Sequence, residues 1–227
     1  MLIRIKFTKE GTMKFIGHLD LIRNFQRVFK KAEFPIAFSE GFNPHPIMSI
    51  GAPLSVGITS EAEYLDAKVT EDIDINYQIE NLNNHTPEGV NIINIIVLPE
   101  KAKSAMALID AAKYKIDIKN IIINDDMINN LMSKDKIIVQ KKNKKNVIKD
   151  IDIKPGILNV AMASENTLLL LIATGSRMNI KPQVVLESLC KVNNMEYNKF
   201  DYKIHRQEIY YISNNKFLPL DKISQEC

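Results

Sequence analysis

Apolar and polar side chains alternate along LIRIKFTK at the start of the chain. Ile3, Ile5 and Phe7 fall on one side and Arg4, Lys6 and Thr8 on the other, the pattern of a half-buried strand. After Gly11 the period changes. Over 17–33 the residues Leu19, Ile22, Phe25 or Gln26, and Phe29 recur at helical spacing. Asp20 in the first turn and Lys30 and Lys31 in the last complement the helix dipole, and Pro35 ends the helix. IAFSEGF then predicts a short strand, SVGI and AEYLDAKV a further extended run, 74–83 a short helix, and VNIINIIVL an apolar strand. Strand, helix, strand, strand, helix, strand is the order of a ferredoxin-like unit, two helices covering one face of an antiparallel sheet.

KAKSAMALIDA, over 101–111, reads as a linker or crossover helix, and beyond it the order recurs. AKYKIDI predicts a strand over 112–118, and NDDMINNLM a helix over 124–132 with Asn124 or Asp125 as its cap. KIIVQKK predicts a strand, and 156–163 with 167–174 a hairpin turning at Ser164, Glu165 and Asn166. PQVVLESLCKV is a helix with proline in its first turn, and YKIHRQEIYYI a final strand. The expected fold is therefore α+β: two tandem ferredoxin-like (βαββαβ) subdomains with antiparallel sheets, at 1–100 and 112–227, the second carrying an extra hairpin.

Composition narrows the function classes. Hydrophobic residues make up 45% and charged residues 25% of the 227, ordinary for a globular chain able to bury a core. No uncharged apolar run reaches the roughly 18 residues of a membrane helix, and the charged N-terminus lacks a signal-peptide core, so a cytoplasmic location is expected. The two cysteines, Cys190 and Cys227, cannot supply a disulfide framework, a zinc ligand set or an iron–sulfur cluster, and no metal or cofactor is expected. A net charge of +3 permits nucleic-acid binding without requiring it.

Two histidines stand out. His18, in FIGHLD, falls at the start of the first helix, where the positive end of the dipole favours a neutral imidazole. There it can serve as base, ligand or hydrogen-bond donor, or simply hold the turn. His45 lies in EGFNPHP. Pro44 and Pro46 exclude helix and stiffen the backbone on both sides, while Gly41 and Asn43 tolerate turns. This is the composition of a rigid recognition loop presenting Phe42, Asn43 and His45. A further reading is a shared two-histidine site with Asp20, Glu61, Glu63 or Asp66 as carboxylate partner, without metal-motif spacing.

Two basic groups are candidates for phosphate contact: Arg23, Arg27, Lys30 and Lys31 on one face of the first helix, and Lys141, Lys142, Lys144, Lys145 and Lys149 in QKKNKKNVIK. Aromatic residues interleave poorly with the second group. Ala173 to Arg177 (ATGSR) lacks the spacing of a phosphate-binding loop.

Taken in order, RIKF, FIGHLDLIR, FSEGFNPHP, GAPLSVG and EYLDA resemble the bacterial radical SAM-linked (radical SAM-associated) protein family, densely over 1–70. The resemblance implies a radical SAM protein as partner. Because the chain lacks that partner's three cluster cysteines, it implies a non-enzymatic accessory role. Binding of a macromolecular substrate, tRNA or rRNA, is the expected function, with His18, Asp20, Arg23, Arg27, Phe42, Asn43 and His45 as contacts. The alternatives are a metal-independent RNA-processing endonuclease using His18 or His45, and a protein-binding scaffold.

Overall fold

A computed structural model describes residues 1–142, 146 and 148–223. The chain divides into two units, Met1–Asp110 together with Arg206 onward, and Ala111–His205.

The first unit contains β1 (Leu2–Lys9), α1 (His18–Lys31), β2 (Met48–Gly51), β3 (Thr59–Lys68), α2 (Ile75–Asn83) and β4 (Ile92–Leu98). The strand order β4-β1-β3, with β2 also paired to β3, is that of a ferredoxin-like sheet. β1 runs antiparallel to both neighbours, Leu2 opposite Lys68 and Leu98. Ile3, Ile5 and Phe7 are fully buried against α1 and α2. Phe7 meets Phe25 edge-on at 4.7 Å, and Phe29 stacks on Phe34 at 4.9 Å. Burying each such ring contributes about 1.5–3 kcal/mol. Asp74 caps α2 by accepting the Tyr77 N–H at 3.1 Å.

Four sequence expectations change here. Leu19 is 67% exposed, and the buried face of α1 is Leu21, Phe25, Val28 and Phe29, because Leu19 sits in the first turn. IAFSEGF is not a strand. Only the bridges Ile36–Val69 and Phe38–Pro46 form, and the strand paired with β3 is Met48–Gly51 instead, Met48 opposite Ala67. SVGI is a turn leading into β3. The polar side of β1 is not solvated: Arg4 is 1% exposed.

The last change explains where the C-terminal residues pack. The Arg4 guanidinium grips Asp66 through two nitrogens, at 2.6 and 3.0 Å, and donates to the Leu220 and Lys103 carbonyls. Asp66 also accepts the Ala105 N–H at 2.6 Å, fixing the short helix α3 (Ala105–Leu108) within the expected linker. Arg206 donates to Glu63, itself fully buried, and to the Ala52 carbonyl. Lys6 pairs with Glu208 at 2.6 Å, and Tyr64 Oη lies 2.7 Å from Glu208 and 3.0 Å from Asp221. Each cation finds a carboxylate, which is the condition for burying charge. These contacts draw residues 206–223, expected in the second subdomain, into the first unit.

The second unit comprises β5 (Ala111–Ile118), α4 (Asp125–Met132), β6 (Ile138–Lys142), β7 (Ile148–Asp152), β8 (Ile157–Ser164), β9 (Thr167–Ala173), α5 (Pro182–Val192) and the first residues of β10 (Tyr202–Ser213). The order β10-β5-β9-β8 repeats the ferredoxin-like arrangement. The extra hairpin is β6–β7, a separate two-stranded sheet inserted between α4 and β8. Asn124 caps α4 by accepting the Met127 N–H. In the first unit, β10 is followed by β11 (Lys216–Pro219).

Candidate functional site

The two histidine motifs singled out in the sequence occupy separate ends of the first unit. At one end the β1–β3 ladder starts: Val69 donates to Met1 O, Ala37 to Lys68 O, and Lys68 to Ile47 O. The segment from Phe38 to Pro46 therefore leaves from this end. At the other end Lys9 faces Ser60 and Gly57 donates to Lys14 O, and there α1 begins with His18. Ser60 and Lys68 are eight residues apart on β3, about 26 Å. His18 and His45 thus do not share a site, and the two-histidine arrangement with Asp20, Glu61, Glu63 or Asp66 is not formed. Glu63 and Asp66 are held by Arg206 and Arg4, and Asp20 pairs at the surface with Arg23 at 3.1 Å.

The loop is closed on itself. Phe38 bridges Pro46, Ser39 N–H donates to His45 O at 2.9 Å, and His45 N–H donates to Ser39 Oγ at 3.1 Å. The Ser39 hydroxyl lies 3.0 Å from His45 Nδ1, and the Asn43 carbonyl 3.5 Å from the same nitrogen. The imidazole is thereby anchored through Nδ1 on a stiff, exposed loop. Gly41, at φ +110, makes the turn that a side chain would strain. Phe42 at the tip is fully exposed, and Phe38 is 55% exposed.

The chain leaving α1 returns to the end of the sheet from which this loop departs. Lys31 is the last residue of α1, Phe34 N–H returns to Phe29 O, and Pro35 O accepts from Thr70. Arg27, Lys30 and Lys31, all exposed, lie on the solvent face of the last two turns, with Arg23 one turn earlier. Glu33 and Glu40 are the exposed acids of this stretch. Three exposed cations thus close α1, and the loop that follows it in the chain carries two exposed rings and the anchored imidazole.

At the opposite end His18 is half-buried, and its Nδ1 is buried without a hydrogen-bond partner among the described residues. Lys9 Nζ reaches under the preceding turn to the Ile16 carbonyl at 2.9 Å. Burial pushes the Lys9 ammonium below its ordinary range, with nearby Glu63 opposing and Arg206 adding to the shift. Phe15, Leu19 and Val56 form an exposed apolar set here. Among the described residues, no three His, Cys, Asp or Glu groups lie close enough to hold a metal ion.

In the second unit Lys141 and Lys149 face each other across β6–β7, a like-charge pair that costs stability unless an anion relieves it. Lys142 is the last residue of β6, and Lys144 and Lys145 lie outside the described residues. Sequence reasoning missed Phe38 and Ser39. The one trace in the sequence, a serine six residues before a proline-flanked histidine, is too common to mark the lock. It also missed the burial of Arg4 and Glu63.

The profile of a family described as "uncharacterized protein conserved in bacteria (DUF2344)" matches residues 2–182. The chain belongs to that family. No curated protein matches the sequence. Among solved structures, a chain from the crystal structure of a Cbf5-Nop10-Gar1 complex is similar, with a TM-score of 0.43 and 6% identity. The alignment covers 91% of this chain and 48% of that one, so the family member spans about half the length of its structural neighbour. No helix among the family member's described residues is long and apolar enough to cross a membrane.

Proposed function

We propose that the chain is a non-enzymatic accessory protein that grips an RNA substrate and presents it to a radical SAM partner. One observation carries the RNA part. A fully exposed Phe42 tips a loop locked by Ser39 and His45, and this loop follows the exposed Arg27, Lys30 and Lys31 of α1 in the chain. Cations supply sequence-independent phosphate contacts, and an exposed ring on a stiff support supplies a face for an unpaired base. The ordering cost has already been met by the fold, which favours affinity. The Lys141–Lys149 face adds a second cationic surface in the other unit. The radical SAM partner is supported by the sequence resemblance.

Fluorescence anisotropy with a labelled single-stranded RNA tests the proposal. Phe42→Ala is expected to weaken binding about tenfold, as the loss of one base–aromatic stack predicts, with the melting temperature unchanged. Equal affinity for wild type and variant, or no binding at low salt, overturns the reading.

The opposite end favours a second role. Phe15, Leu19 and Val56 are each exposed at this end of the first unit, and exposed apolar side chains suit a protein contact. This surface is where the partner enzyme docks in our reading. Co-purification with a radical SAM protein should survive Phe42→Ala and fail with Leu19→Glu. The reverse result assigns partner docking to the loop.

A further inference from the structure

The second unit holds an open groove of about 750 Å³ that none of the residues above line. Its walls include Ile121, Met195, Glu196, Tyr197, Lys199 and Phe200. We propose that this groove takes a single unstacked nucleobase bearing N–H donors on its edge, guanine above all, with its phosphate on Lys199. The proposal deepens the RNA reading and rests on it for the identity of the ligand.

The groove has a rigid frame. Tyr197 stacks on Tyr202 with centroids 5.5 Å apart and planes at 18°, and Tyr202 Oη lies 3.0 Å from the buried Cys190 Sγ. Asn198 Oδ1 accepts the Phe200 N–H at 3.1 Å, shaping the turn that carries Lys199 and Phe200. Asp201, buried, accepts from Asn120 Nδ2 at 3.0 Å, and Lys119 N–H donates to Asp201 O at 2.7 Å. These bonds tie the turn to the segment bearing Ile121.

On that frame three recognition elements converge. Phe200 is 73% exposed, a large apolar face the fold leaves uncovered. Lys199 Nζ lies over the Phe200 ring, 5.0 Å from its centroid, so the cation covers one face and leaves the other for stacking. Glu196 is exposed on the groove wall, and its carboxylate accepts hydrogen bonds but donates none. A π-face, an ammonium and an acceptor pair are complementary to a ring, a phosphate and an edge with adjacent N–H donors. Guanine presents two such donors together. A plain anion has no use for Phe200, and a purely apolar ligand would bury Lys199 and Glu196 at a cost.

The test is titration of the full chain with GMP, UMP and ribose 5-phosphate, followed by NMR of the aromatic side chains. GMP is expected to shift the Phe200 and Tyr197 resonances. Phe200→Ala should weaken GMP about tenfold. Glu196→Gln should weaken GMP while leaving UMP unaltered. No shift at millimolar GMP overturns the proposal, as does an equal effect from ribose 5-phosphate or wild-type GMP affinity in Phe200→Ala. The two readings separate cleanly. RNA bound with GMP silent removes the groove alone, and GMP bound with RNA ignored removes the RNA reading alone.

Discussion

Replacing Arg206 by methionine removes the partner of a carboxylate that cannot reach water. Glu63 is fully buried, and its Oε2 already lacks a hydrogen-bond partner among the described residues. Only Oε1 is held, by two nitrogens of Arg206. Removing one partner of a buried ion pair typically costs 3–5 kcal/mol, so a loss of about 4 kcal/mol is expected. The Ala52 carbonyl loses a 2.9 Å donor as well, which places the value toward the upper end. With a urea m-value of about 2 kcal/mol/M, the midpoint falls by about 2 M. Urea titration followed by far-UV circular dichroism reads the change. Adding Glu63→Gln to Arg206→Met removes the stranded charge and should recover at least half of the loss. A loss below about 1 kcal/mol in the single variant refutes the assignment of this pair as the staple holding residues 206–223 on the first unit. So does the absence of rescue in the double variant.

Other outcomes follow from the same geometry. Gly89 has φ +89, and a Cβ there would stand 2.5 Å from the Glu10 carbonyl oxygen. Gly89→Ala is therefore expected to cost at least about 2 kcal/mol, lowering the melting temperature by about 4–8 °C. Asp221 is pushed up by burial, but Lys6 with bonds from Asn94 and Tyr64 outweighs this and holds it below its ordinary 3.8. Its folded value is depressed, so its stabilising contribution is present above pH 3.8 and lost as pH falls through the folded value. Asp221→Asn should therefore be less stable than wild type at pH 6, with the gap narrowing as pH is lowered below 3.8 in urea titrations at each pH.

How much of this was legible in the sequence depends on the range of the interactions involved. The period of two in Ile3, Ile5 and Phe7 and the spacing of Phe25 and Phe29 are local signals, and both appear as buried faces. The order of elements sufficed for two ferredoxin-like units. Arg4 and Lys6 were misread as solvated because their partners are distant: Arg4 donates to Leu220, 216 positions away. No local pattern announces such a pair. β7 went unread because most of its side chains are exposed and carry no alternation. Helical periodicity points Leu19 inward because it does not say where the sheet beneath a helix ends.

The loop was legible in part. Gly41, Pro44 and Pro46 ruled out helix and announced a stiff connection, and the exposure of Phe42 and His45 agrees with that reading. The Ser39 lock was not legible, since a serine six positions from a histidine is common and its meaning appears only when the chain closes at Phe38–Pro46. The separation of His18 from His45 depended on which end of the β1–β3 ladder the loop leaves, which residue spacing does not encode. The groove around Phe200 has no periodic signature either, being assembled from a turn and a distant segment at Ile121.

The most direct measurement of the central claim is the salt dependence of RNA affinity, for wild type and for the Arg27→Glu/Lys30→Glu/Lys31→Glu variant. Three cations on a single strand predict that the variant's slope of log affinity against log salt is shallower by about 2, with weaker binding at every salt concentration. Parallel slopes and equal affinities contradict the account.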